Sequence, residues 1–294
     1  MPVIDLHCHS TASDGTDSPR ELVHEAVRAG LTTMAITDHD TTGGWDEAAE
    51  AVRELDTEFT LVLGTEFSCV YHSPDDSQRI SLHLLGYLFD PAAAGLKAER
   101  ARLRENRLGR GEAIVNNLIE AGYPVRWQQV QAIAGGGAVG RPHIGQALVD
   151  SGVVRSVHDA FAELLSSDSP YYVPKADSEV LTMIELIRAA GGVAVIAHPW
   201  ARRREQILDE QALRRLVDAG LAGIEVDHMD HTPEDRRRLR ALAEELRVFT
   251  TGSSDYHGTH KTVRLGAETT DRQCLQRILS QADGVEPVYS AQAR

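Results

Sequence analysis

His7 and His9 stand two residues apart near the start of the chain, in VIDLHCHSTASDG, and Asp14 follows in the same stretch. Alternation puts Val3, Asp5, His7 and His9 on one face of a short extended segment, and Ile4, Leu6 and Cys8 on the other. Two imidazoles leaving one face of a strand can reach a single ion, so the pair predicts a divalent-metal hook. Acids and imidazoles recur after apolar runs: Asp38 and His39 in AITDHD, Glu66 in VLGTEF, His83 in SLHLLGY, His198 in VAVIAHP, Glu225 and Asp227 in GIEVD, Asp255 and His257 in GSSDYH. In sheets of parallel strands chemistry gathers at the carboxyl ends, where loops vary while the strands fix their starting points. Side chains of this kind at successive strand ends converge on one cavity, and they repel or compete unless cations hold them. His7, His9, His39, His83, His198 and His257, with Asp14, Glu66 and Asp255, would serve two or three divalent ions and leave positions for water and substrate. Manganese, iron or zinc suits such a donor set. Three divalent ions against three carboxylates and neutral imidazoles leave a net charge of about +3, which favours a phosphate oxyanion over a neutral amide or sugar. Asp38, beside His39, is better suited to holding an imidazole by its other nitrogen than to ligation.

The frame that must position these residues is legible as a rhythm of short apolar strands and amphipathic helices. VIDLHCH is followed by the helix SPRELVHEAVRAG, in which Ser18 caps, Pro19 opens the first turn, Glu21 closes a capping box and Gly30 ends the run. TTMAITDHD, FTLVLGTEFSCVY, SLHLLGYLF, GGVAVIAHPW, LAGIEVDH and RVFTTGSSDYHG read as further strands, with GGWDEAAEAVREL as a second helix. The pattern predicts an α/β fold with a largely parallel sheet covered by helices. Residues 90–174 break it. They hold the long charged helix LKAERARLRENRLGRGEAIVNNLIEAG, then VRWQQVQAIAGG, GRPHIGQALVDSG and HDAFAELL, and read as an α-helical subdomain inserted between two parts of the α/β body, 1–89 and 175–294.

The 294 residues, 42% apolar, suffice for a sizeable core. Forty-four acidic residues against 30 Lys and Arg give a formal charge of -14, which repels a long nucleic acid or an anionic membrane and leaves small anionic substrates open. Cys8, Cys69 and Cys274 have no CxxC spacing and read as buried or free thiols of a reducing compartment. No positively charged leader and no run of 18 apolar residues is apparent, so the expected location is cytoplasmic. GGGAVGRP lacks the ending and the preceding strand of a phosphate-binding P-loop. Arg236, Arg237 and Arg238 are neighbours on a predicted helix and point three ways, as on a solvated face.

Taken together and in order, DLHCHSTASDGTDSP, AITDHDTTGG, GTEFS, LHLLGY, IAHPW, GIEVDH and GSSDYHG resemble the PHP family, the polymerase and histidinol phosphatase superfamily of metal-dependent phosphoesterases. The likeness spans nearly the whole chain. It implies a distorted (β/α)7 barrel with the metal cluster at the carboxyl-terminal rim. His7, His9, Glu66 as a bridge and Asp255 would then hold one ion, and Glu66, His83 and His198 a second. Asp14, His39 and His257 would hold a third, with Asp14 standing where other members use histidine. The inserted GRPHIGQALVDSG resembles the branch whose helical insertion carries G-R-P-H and closes over the site. Members of that branch take phosphate from nucleotides, including 3',5'-bisphosphates and 5'-AMP, or degrade short RNA from the 5' end. Arg141 fits a phosphate fork, and His143 a second phosphate or a proton transfer, in which His198 is the other side-chain candidate. The likeness also points to His231 as a phosphate contact near the rim, and sets His228 and Met229 where the family commonly shows aromatic residues.

The expected activity is hydrolysis of a phosphomonoester of a small nucleotide by a metal-bound hydroxide. Short single-stranded RNA attacked from its 5' end and histidinol-phosphate-type or other small phosphomonoesters are the alternative substrates. An amidohydrolase would want a lysine between the strand-end ligands, and none falls there.

Overall fold

A computed structural model describes residues 2–201 and 207–293. Seven strands form the central sheet in the order β1 (Ile4–Cys8), β2 (Thr33–Ile36), β3 (Thr60–His72), β4 (Arg79–Tyr87), then β6 (Val193–Ala197), β7 (Gly223–Asp227) and β8 (Phe249–Gly252). Two-residue strands β5 (Ser178–Glu179) and β9 (Val288–Tyr289) add to β3. The sheet curls until its edges meet: beyond β8, Tyr256 bridges to Cys8, and the His9 amide donates to its carbonyl at 2.9 Å. The result is a near-barrel of seven strands.

One strand runs against the expected direction. β4 is antiparallel to both β3 and β6, while β1–β3 and β6–β8 are parallel runs. His83 therefore does not end a strand; it lies inside β4, opposite Ser68 and Ala197. The connection from β3 to β4 is a hairpin, whereas a parallel pair would have needed a crossover helix.

Helices pack outside this sheet. α1 (Pro19–Arg28) starts as its sequence dictates, with Ser18 and Glu21 exchanging capping hydrogen bonds and Pro19 in the first turn. α2 (Trp45–Arg53), α7 (Val180–Ala189), α8 (Glu210–Asp218), α9 (Pro233–Leu246) and α10 (Arg272–Gln281) complete the coat. The barrel strands are buried along nearly their whole length, and fully buried Tyr87 crosses from β4 to donate its hydroxyl to the Leu6 carbonyl at 2.8 Å. No helix among the described residues is long and apolar enough to cross a membrane.

Between β4 and β5 come α3 (Ala94–Glu120), α4 (Trp127–Ala134), α5 (Arg141–Asp150) and α6 (Val157–Glu163). α3 serves two cores. Leu96 and Leu103 belong to the barrel's core, whereas Ile114, Val115 and Leu118 join a separate apolar cluster with Val130, Ile144 and Leu148. The insertion thus has apolar contacts of its own and reaches back to the rim, where the Ala138 amide donates to the Ala12 carbonyl at 3.0 Å.

Candidate metal centre

The rim is assembled around Glu66, whose two oxygens face different groups. Oε2 lies 3.3 Å from His7 Nε2, 3.2 Å from His9 Nε2 and 3.1 Å from His39 Nδ1. Oε1 lies 2.7 Å from His83 Nδ1 and 3.1 Å from His198 Nε2. Burial pushes this carboxyl up, but the imidazoles of His83, His39 and His7 outweigh it and hold Glu66 well below the usual range. Asp255 brings Oδ1 to 3.5 Å from His7 Nε2 and 3.4 Å from His9 Nε2. Asp14 sits on the other side of His9. Its Oδ1 is 3.5 Å from His257 Nε2, and its Oδ2 is 3.7 Å from His39 Nε2.

The local backbone is shaped to this end. Asp40, His198 and Asp255 all adopt positive φ, at 55°, 30° and 53°, conformations that L-residues reach only when their surroundings impose them. Gly15 is required where it stands, because a Cβ there would collide with the His9 carbonyl. That tight turn brings Asp14 back under His9.

These residues fit divalent ions. His7 Nε2, His9 Nε2 and His39 Nδ1 are buried without a hydrogen-bond partner, although carboxylate oxygens lie close by. Buried ring nitrogens in this state are suited to coordinating a cation. Donor atoms within 4.8 Å of one another occur in the sets His7, His9, Glu66, Asp255; His9, Asp14, His39, His257; and His39, Glu66, His83. Outer partners fix the tautomers. Glu225 takes His7 Nδ1 at 3.1 Å on one oxygen and the His198 amide at 2.8 Å on the other, and His257 Nδ1 donates to the Asp255 carbonyl at 2.9 Å, freeing Nε2.

Two sequence expectations meet a different geometry. Asp38 holds no imidazole directly: it accepts from the Ser10 amide, the Ser10 hydroxyl and the Ser13 hydroxyl, and Ser13 in turn faces His9 Nδ1 at 3.4 Å. It thereby acts on His9 through a serine. His231, expected against a phosphate, has both ring nitrogens engaged inside the protein. Nδ1 donates to the Val226 carbonyl at 2.8 Å, and Nε2 accepts the Trp200 amide at 3.2 Å.

The insertion brings cations to this rim. Arg107 of α3 pairs with Asp40 at 2.6 Å and reaches Ser68, and it lies close enough to Asp14 and His39 to influence both. Arg107, Arg110 and Lys175 line a small cleft with Asp40, Ser68 and Asp177. Arg141 stands nearby, its guanidinium over Phe161 and Tyr172 and one nitrogen donating to the Leu165 carbonyl at 2.8 Å. Buried Arg110 Nη2 has no partner. His143, at the start of α5, accepts the Gly140 amide on Nδ1 at 2.9 Å, so its proton stands on Nε2. Lys261, from the segment after β8, grips Asp255. The chain has only three lysines, and two of them, Lys175 and Lys261, are at the site.

Residues 5–125 match the PHP domain. A 5'-3' exoribonuclease of Haemophilus influenzae is 35% identical over 291 residues, covering 97% of each chain. A 3',5'-nucleoside bisphosphate phosphatase of Chromobacterium violaceum is 31% identical over 298 residues, covering 96% of this chain and all of that one. The chain belongs to the PHP family. Its fold agrees with membership: a Bifidobacterium adolescentis protein described as a candidate metal-dependent phosphoesterase superposes with a TM-score of 0.89 at 37% identity, covering 95% of this chain and 96% of that one. The PHP protein is accordingly a metal-dependent phosphoesterase, with clusters of His, Asp and Glu able to coordinate metal ions.

Sequence reasoning missed the outer members of this PHP site. Glu225 was visible at a strand end, but its grip on His7 depends on the barrel closing. Arg107, Arg110, Lys175 and Lys261 carried no signal beyond charge, since helix and loop positions reveal no target until the insertion is docked.

Proposed function

We propose that this PHP phosphoesterase removes phosphate from a small nucleotide carrying a second phosphate, such as a 3',5'-bisphosphate, with a 5'-monophosphate as the simpler substrate. The observation that carries the reading is the cation group Arg107, Arg110, Arg141 and Lys175 set beside the metal-ligand cluster, with a buried guanidinium nitrogen of Arg110 unpartnered. A simple phosphomonoester needs only the metal centre. Cations beyond it call for a second anion.

In this reading His7, His9, Glu66 and Asp255 hold one ion, Glu66, His83 and His198 a second, and Asp14, His39 and His257 a third, manganese or iron being the metals for catalysis and zinc a substitute. When bound, the ions supply Lewis acidity and activate water for attack on phosphorus. Of the two side chains considered for the proton on the leaving oxygen, His143 fits better. Its Nε2 carries a proton and the ring lies near Asp14, whereas His198 Nε2 is directed at Glu66. Residues 90–174 act as the lid that carries Arg141 and His143 to the substrate. The free cysteines, Cys8 and Cys69 buried and Cys274 half-buried, suit a reducing, cytoplasmic setting.

A second reading, removal of nucleotides from the 5' end of short RNA, is favoured by the 35% identical relative that bears the exoribonuclease name. One panel decides between them: phosphate or nucleotide release from a nucleotide 3',5'-bisphosphate, 5'-AMP, histidinol phosphate and a 5'-phosphorylated RNA of a few nucleotides, with Mn. The bisphosphate is expected to be the best substrate. Arg141→Ala should lose roughly tenfold or more on it while keeping activity on a simple ester, the range for losing one charge-assisted contact. Equal rates on all the monophosphates, with no effect of Arg141→Ala, would dismiss the second-anion reading.

A further inference from the structure

Asp255 divides its two oxygens between opposite surroundings. Oδ1 points into the cluster, toward His7 Nε2 and His9 Nε2. Oδ2 points out of it and meets His228 Nε2 at 3.4 Å and the Lys261 ammonium. Neither residue had a place in the ligand sets assigned above.

His228 looks at first like one more ligand, because its ring converges with His198 and Asp255. The hydrogen bonds say otherwise. Its Nδ1 accepts the backbone N–H of Asp230 at 3.1 Å, and an amide can only donate. The ring proton is therefore on Nε2, the atom turned to Asp255, and a nitrogen that carries a proton has no lone pair for a metal. Moving that proton to Nδ1 would set two N–H groups against each other. The loop is held as well, since Arg236 donates to the His228 carbonyl at 2.7 Å. His228 is a fixed donor. His7 and His257 show the reverse arrangement, Nδ1 engaged by an oxygen and Nε2 turned toward the cluster.

We propose that His228 and Lys261 are positioning residues that hold Oδ2 of Asp255 out of the cluster, so that Asp255 offers Oδ1 alone to the ion it shares with His7 and His9. A carboxylate released from this clamp can turn and present both oxygens, filling a position that water or a phosphate oxygen would otherwise take. The inference rests on the metal-centre reading above.

The test is Mn retention by full-length protein against a competing chelator, with metal content by elemental analysis and thermal melts of each variant to confirm folding. His228→Phe and Lys261→Met should each weaken one Mn site by roughly 10- to 100-fold, the range found when outer partners of ligands are removed. His228→Gln, which can place an N–H near the position of Nε2, should return retention to within about threefold of wild type. The double variant His228→Phe/Lys261→Met should fall short of the product of the two single effects, because both act on one oxygen. Wild-type retention in both single variants overturns the clamp. So does a His228→Gln as weak as His228→Phe, which would make the ring itself a ligand. Lys261→Met, at a half-buried loop position, keeps the test open if the histidine variants do not fold. A wild-type protein that takes up no ion sinks the metal-centre reading itself, an outcome distinct from intact binding that ignores the variants.

Discussion

Asp14 reaches three imidazoles from one loop, and its carboxyl is buried among them. Burial alone would raise it, but His39, His257 and His9, with Arg107 behind, hold it well below the ordinary range. A carboxylate kept ionised at the edge of a histidine cluster is suited to a cation. Asp14→Ala should therefore lower metal content by about one equivalent while leaving the fold intact, as elemental analysis and circular dichroism can check. A full complement of metal in that variant would leave Asp14 a turn residue of SDGT and nothing more. That these acids and imidazoles gather at one place was legible in the sequence, because period-two alternation and strand ends announce where most of them point; Glu66 and His83 lie inside their strands instead. Tautomers were not legible. His231 and His228 lie three residues apart in one loop, yet one is spent on Val226 and Trp200 while the other aims a proton at Asp255. The backbone groups that decide which, the Asp230 amide for His228 and the Val226 carbonyl and Trp200 amide for His231, take their directions from the folded loop, which the sequence does not display.

Helix α3 couples the insertion to the barrel through a buried ion pair as well as through Leu96 and Leu103. Arg107 donates two nitrogens to Asp40, which is almost wholly buried and sits at positive φ. Removing one partner strands the other charge in a poorly solvated place, so Arg107→Met should cost about 3–5 kcal/mol in urea-unfolding stability. Adding Asp40→Asn should recover part of that loss, since the stranded charge disappears. A single variant as stable as wild type would mean that solvent reaches Asp40. Lys175 provides a pH signature for the same cleft. Burial, with Arg107, Arg141 and Arg110 around it and Asp177 opposing, brings its amine down to about 8. As pH rises through that value the cleft loses one positive charge, so KM for a bisphosphate should climb above pH 8 in wild type. Lys175→Arg, which stays charged, should flatten the rise. An unchanged wild-type KM between pH 7 and pH 9 would remove Lys175 from anion binding. The long helix itself was evident from its sequence, as were the capped start of α1 and the apolar strands. The reversed direction of β4 was not, because an apolar run reads the same in either sense and only the hairpin at residues 73–78 reveals it.

Over the whole molecule, a formal charge of -14 surrounds a site that gathers cations. In the proposed reading the exterior would disfavour long polyanions and the rim would attract small ones. Arg236, Arg237 and Arg238 do not alter this balance, since each is tied to an acid: Glu268, Glu234 and Glu210. Metal should also contribute to holding the barrel closed, because its donors come from β1, the turn at Asp14, β3, β4 and the segment after β8. An ion that binds only the folded chain adds about 2.7 kcal/mol at a hundredfold excess over its Kd. Thermal melts with Mn should thus shift upward by several degrees relative to chelated protein, roughly 2–4 °C for each kcal/mol in a chain of this size class. Melts that coincide would mean that no ion binds the folded chain in preference to the unfolded one.

The seam between Cys8 and Tyr256 also dictates when the site can exist. During synthesis His7 and His9 precede Asp255 and His257 by some two hundred and forty residues, so a ribosome-bound chain carries an incomplete donor set until that stretch has been made. Contacts this distant along the chain are the last that loop closure permits. In the metal-centre reading, the choice among available ions would thereby wait until the segment after β8 has been made and folded against β1, and would not be left to two exposed imidazoles on a nascent strand.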